Sequence, residues 1–285
     1  MKFSFNTLFA LLAMALLVIS CRTSDMDEPV IPTSEMEGLI KIKEVTNNTH
    51  IIELYSKSGT TALGYNDIKL RIRNKATGTF EKNAVVNWMP LMHMTSMSHS
   101  CPKSLVKKVN PEGSLYSGFI VFQMPDNSSE YWDLKIDYTI GSTEYTATTI
   151  INVPAAGKRT VTSFMGSDNN RYIMAYVEPR TPEVKTNEMI IGVWKMQDMM
   201  SFPIVDGYTV KVDPRMPSMG NHSSPNNIPA SQNGPGNLYN GKLALTMTGY
   251  WKLNLQLVNP DGIVLKGEEI TETNPASSIF FEIEF

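Results

Sequence analysis

Beyond residue 38 the chain reads as short runs of alternating apolar and polar residues, broken roughly every ten positions by Gly, Pro, Asn, Asp or Ser. Ile40–Val45, Ile51–Tyr55, Ile68–Ile72, Gly118–Gln123, Trp132–Tyr138 and Thr146–Val153 have the period-two pattern and the β-branched or aromatic content of strands. Long segments with a 3.6-residue apolar period are absent from the sequence. Strands half buried in this way bury their apolar faces against one another, so the pattern predicts an all-β chain of antiparallel sandwiches.

The pattern differs only at the start, where Leu8 to Ile19 form an uncharged apolar run behind Lys2. Such a run is short for a membrane span and has the proportions of a secretory signal, predicted here over 1–20. It ends at Val18-Ile19-Ser20-Cys21, which resembles the lipobox of bacterial lipoproteins and marks Cys21 for lipidation. The alternatives are an uncleaved anchor and an ordinary signal peptide. Residues 21–37, acidic and proline-bearing, then read as the lipidated cysteine and a flexible tether, which attaches the chain to a membrane of the bacterial envelope, the outer membrane or the periplasmic face.

A second regularity is internal duplication. His99-Ser100-Cys101-Pro102 precedes Leu115-Tyr116-Ser117-Gly118 as His222-Ser223-Ser224-Pro225 precedes Leu238-Tyr239-Asn240-Gly241. Met124 and Met247 follow at a constant offset, then the strands led by Trp132 and Trp251. Upstream, Met89-Pro90-Leu91-Met92 aligns with Met216-Pro217-Ser218-Met219, with extra residues before the histidine in the first copy. Two tandem sandwiches follow, 38–153 and 159–285, joined by a linker over 154–158.

Composition changes the picture at one point. The formal charge of −3 supplies no basic field for a phosphate backbone, so nucleic acid is excluded as a partner. Methionine, however, numbers 18, as many as glycine. Four methionines and two histidines fall within Met89–His99, and the second copy has Met216, Met219 and His222. Proline, glycine and serine at this density predict loops, where apolar burial is the weaker explanation for methionine. Thioether sulfur is a soft neutral donor suited to Cu(I), and imidazole serves copper in either oxidation state. Isolated residues such as Met165, Met174, Met189 and Met199 read as core fillers, and His50 as a bystander.

Met-Pro-x-Met, a following histidine, a Tyr-x-Gly strand, a methionine and a Trp-led strand together resemble the FixH/YtkA-like domains of bacterial envelope proteins, in both halves of the chain. The resemblance implies an immunoglobulin-like or cupredoxin-like β-sandwich and an association with copper handling. Carried over residue by residue, it implies one metal site at Met89, Met92, His99 and Met124 and another at Met216, Met219, His222 and Met247. His93, Met94 and Met97 in the first copy could add ligands, form an alternative set, or only lengthen the loop. Cys101 stands outside the set because Ser224 replaces it in the second copy.

The expected function is therefore a copper-binding envelope lipoprotein that buffers, carries or delivers copper, with a copper-donating or copper-accepting envelope protein as partner. The alternative is a lipid-anchored tandem module that binds a protein or a glycan. No zinc-protease, Walker, dinucleotide or nucleophile-elbow signature occurs in the sequence, so an enzyme is not expected.

Overall fold

The alternating runs pair as antiparallel strands, and the computed structural model describes them over residues 35–285. The signal peptide, Cys21 and most of the tether lie outside the described residues. Among the described residues, no helix is long and apolar enough to cross a membrane.

In the first copy, β1 (Ile40–Thr46), β2 (His50–Ser56), β3 (Gly64–Asn74), β7 (Tyr116–Phe122) and β6 (Lys107–Lys108) form one sheet in the order β1-β2-β3-β7-β6. Facing it is a second sheet of β4 (Ala84–His93), β5 (Ser98–His99), β8 (Tyr131–Ile140) and β9 (Thr143–Ile151), ordered β5-β4-β8-β9. From β2 onward this is the immunoglobulin arrangement, strands A-B-E-D against C′-C-F-G, with β1 added at one edge. Alternation along the pleat sends Ile68, Leu70 and Ile72 of β3, and Trp132, Leu134, Ile136 and Tyr138 of β8, into one core.

The second copy repeats the order. Its first sheet is β10 (Val161–Met165), β11 (Arg171–Glu178), β12 (Thr186–Lys195), β16 (Tyr239–Ala244) and β15 (Ile228–Gln232). Opposite lie β14 (His222–Ser223), β13 (Thr209–Met216), β17 (Tyr250–Val258), β18 (Val264–Lys266) and β19 (Phe280–Glu284). Two features distinguish it. Val210 of β13 pairs with Ala230 of β15, which joins the two sheets along one edge. The last strand is also divided, so that β18 pairs with the end of β17 and β19 with its beginning.

The duplication extends to a hydrogen-bond knot. Buried Asn66 accepts from the Ala62 N–H and donates to the Ala62, Gly64 and Ile120 carbonyls. Asn187 accepts from the Glu183 N–H and donates to the carbonyls of Glu183, Lys185 and Leu243. A buried amide is tolerated when its donors and acceptor are all used, and here each copy uses them in the same way.

The two sandwiches touch through a third apolar cluster. Tyr65, Phe119 and Val121, on the outer face of β3 and β7, pack with Val161, Ile173, Ala175 and Trp194, on the outer face of β10–β12. Strand β11 is consequently buried almost continuously, with Tyr172, Met174 and Tyr176 in the second core and Ile173 and Ala175 in the interface. Polar bonds reinforce it: Thr160 Oγ1 donates to the Leu63 carbonyl at 3.2 Å, and the Arg180 guanidinium to the Tyr65 carbonyl at 2.9 Å. Gly64, at φ +93°, sits where a Cβ would fall 2.7 Å from Thr160 Oγ1. Val153 is bonded to Asp126 in the first copy, whereas Arg159 exchanges backbone and side-chain bonds with Glu282 in the second.

Candidate metal centre

Met89, Pro90 and Met92 do not lie on a loop, as the proline had suggested, but within β4. Pro90 is tolerated because β5 reaches only Met92 and His93, so that one side of β4 carries no ladder at Pro90. Pro214 of β13 has the same setting, since β14 reaches only Arg215 and Met216. The register then corrects the alignment of the two copies. Pro90 pairs with Leu134 and Pro214 with Leu253, while Met92 faces His99 and Met216 faces His222. The repeated unit is thus Pro90-Leu91-Met92 with Pro214-Arg215-Met216, and Met92, rather than Met89, is the counterpart of Met216.

This register separates the expected ligands. Met89 lies three residues from Met92 on the same strand, hence on the opposite, outward face. Met219 projects from a 3-10 turn at the hairpin tip and is 57% exposed. Both leave the proposed clusters. Met92 (0% exposed) and Met216 (4%) are core residues whose positions across from His99 and His222 bring a thioether and an imidazole onto neighbouring strands in each copy. Met97, 47% exposed, lies two residues before His99 on the first hairpin.

Met124 and Met247 have a structural role. The Trp132 indole donates to the Met124 carbonyl at 2.9 Å and the Trp251 indole to the Met247 carbonyl at 3.0 Å. Their recurrence is therefore served by the backbone, while their side chains pack at the margins of the two cores. Since Trp132 is paired across from Met92, Met124 adjoins the same end of the sandwich. His99 packs edge-on against Trp132, with ring centroids 5.6 Å apart.

The histidines have distinct settings. His99 is buried, and its Nδ1 lies 2.7 Å from the Ser100 carbonyl, an acceptor that fixes the proton on Nδ1 and leaves Nε2 with the lone pair. A metal-ligating imidazole is commonly oriented by such a bond. The Gln123 amide lies 3.3 Å from the same nitrogen, where with Nδ1 protonated its oxygen is the group that can bond, and Ser100 Oγ is buried without a partner. His222, by contrast, is exposed. His93 is engaged elsewhere: its Nε2 lies 2.7 Å from Asp133 Oδ2 and its ring stacks on Tyr131 at 4.8 Å. Met94 packs against the first core. His50 is a satisfied core residue, bonded to Thr49 and edge-on to Tyr138 and Tyr145.

Cys101 is buried in the first core, and burial pushes its thiol well above the usual range. It is a packing residue without thiolate character. Among the described residues, no three His, Cys, Asp or Glu side chains converge as a hard-metal site would require. Met174 and Met189 are fully buried core fillers as expected, but Met199 and Met165 are 43% and 50% exposed, and Met200 is 45% exposed. The run Met196-Gln197-Asp198-Met199-Met200 was the overlooked sequence signal.

No family model matches the chain, and no curated protein does. Among solved structures, a chimeric titin Z1Z2-Z1Z2 tandem functionalized with a GRGDS peptide from fibronectin is similar at 15% identity, over 79% of this chain and 93% of that one, with a TM-score of 0.19. A likeness at that score carries no argument, and the immunoglobulin-like assignment stands on the strand order.

Proposed function

We propose that this chain is a copper-binding lipoprotein of the bacterial envelope, related to FixH/YtkA-like domains and anchored through Cys21, with Cu(I) as cargo. The first copy holds it with His99 and Met92 and the second with His222 and Met216, while Met124 and Met247 border the two centres. The observation that carries the reading is the facing of a methionine and a histidine on paired strands in both copies. The donor chemistry fits: a neutral imidazole nitrogen and an uncharged thioether favour the softer copper state and need no deprotonation beyond the histidine. An exposed His222 would let an incoming ligand bond before a protein ligand leaves, which suits transfer to an envelope partner.

The test is anaerobic titration of the full-length chain with Cu(I) against a chromophoric chelator. The wild type takes up two equivalents, and His99→Ala and His222→Ala each lose one. Affinity indifferent to both substitutions would hand the function to the interaction-module reading. That reading has an observation of its own: a cleft of about 530 Å³ between the sandwiches, bordered by Leu105, Phe119, Phe202, Ile204, Lys103 and Lys107.

A further inference from the structure

The β12–β13 connection of the second sandwich crosses to the first at the candidate centre. The Ser100 N–H donates to the Met199 carbonyl at 2.8 Å, so the Met199 backbone abuts the peptide that links His99 to Ser100. That peptide is next to the carbonyl orienting His99: Ser100 O, 2.7 Å from Nδ1. The connection is itself shaped, since Asp198 Oδ1 accepts from the Met200 N–H at 2.7 Å and the Gln197 N–H donates to the Ser201 carbonyl at 2.9 Å. Two adjacent methionines, Met199 and Met200, are thereby carried by the segment whose backbone meets Ser100, the residue after His99, and both are 43–45% exposed although methionine is an apolar residue. Core packing does not account for them. A second observation concerns the same place, where the side-chain oxygen of Ser100 is buried and unpartnered. Uncompensated polar atoms of this kind are expected beside an ion or a small polar ligand.

We infer that the first copper centre is shared between the sandwiches: Met199 or Met200 of the second sandwich completes the coordination of the ion held by His99 and Met92 of the first. The inference rests on the copper reading and adds to it that the two copies are not equivalent. Among the described residues, no backbone hydrogen bond joins the segment around His222 to the first sandwich. Copper at the first centre would bridge the two bodies, whereas copper at the second would not.

The experiment uses the full-length chain carrying His222→Ala, so that only the first centre reports, and titrates it anaerobically with Cu(I). Met199→Ala/Met200→Ala in that background should weaken Cu(I) binding about tenfold or more, with one sulfur scatterer lost from the copper X-ray absorption spectrum. Met165→Ala, an equally exposed methionine elsewhere, should change neither. If His99→Ala abolishes binding while Met199→Ala/Met200→Ala leaves affinity and sulfur count intact, the shared centre is overturned and the copper reading stands. If the His222→Ala chain binds no Cu(I), both fall. Unfolding midpoints of the metal-free variants, expected to match, separate loss of a ligand from loss of the fold.

Discussion

Asn66 and Asn187 occupy the same position in the two copies and tie the same knot, each amide joined to residues two and four before it and to the strand alongside. The bonds fix how the chain enters β3 and β12. Replacing either asparagine with alanine strands several buried carbonyls and should lower stability by roughly 2–4 kcal/mol, measurable by urea unfolding. A loss below half a kilocalorie at both sites would show the knot to be ornamental.

Gly118, in the Tyr-x-Gly strand of the first copy, lies against the Trp88 ring, where an added Cβ would meet Cζ2 at 2.5 Å. Gly118→Ala should cost about 1–3 kcal/mol through displacement of that indole. Gly78 is the control: at φ +72° with nothing within 4 Å, Gly78→Ala is expected to cost only its backbone strain, about 1 kcal/mol. Reversal of that ranking by thermal or chemical unfolding would contradict the packing.

Glu53 is a buried carboxylate on β2. Burial raises its pKa, but the Tyr55 hydroxyl at 2.6 Å and the cations Lys41 and Arg73 outweigh burial and hold it below the ordinary 4.5. A depressed folded-state value contributes stability that is present above the unfolded value and lost as the pH falls through the folded one. The wild type should therefore lose stability between about pH 5 and pH 3, and Glu53→Gln should lose less of it over the same interval. Parallel slopes for the two proteins would remove Glu53 from the acid response.

Cys101 should resist iodoacetamide in the native chain and react on unfolding, since burial keeps it a thiol. Cys101→Ser is expected to leave Cu(I) uptake unchanged while costing roughly 1–3 kcal/mol for the buried hydroxyl. Loss of copper in that variant would place a thiolate in the centre after all.

Met89→Leu should not alter Cu(I) affinity, because Met89 lies on the outward face of β4, whereas Met92→Leu should weaken it. Chelator competition would distinguish them, and equal effects would argue against the register-based ligand set.

Much of the fold was legible because alternation survives in nearly every strand, and Trp132 and Trp251 mark equivalent positions. The methionine stretches were misread because proline was weighed as a strand breaker. Pro90 and Pro214 occupy positions where the neighbouring strand has stopped, and sequence does not reveal where a partner strand ends. The off-by-three alignment followed from Met-Pro-x-Met matching by letters, while the real register, Met92 to His99 and Met216 to His222, depends on hairpin pairing. Met199 reads in the sequence as a core filler, yet it is 43% exposed on a segment that meets Ser100 of the other sandwich, and spacing within one copy carries no information about that contact.

The interface between the sandwiches is asymmetric, and this limits assembly. The first copy offers Tyr65 and Phe119, but the matching places in the second, beside Asn187 and Leu243, are Thr186 and Lys242, the latter ion-paired with Glu188. Conversely, Ala175 lies in the second copy where the first has Glu53, attended by Lys41 and Arg73. Each copy thus has an apolar side toward the other and polar or charged residues at the equivalent places on its free side, so the surface that joins the two copies is not repeated at either free face.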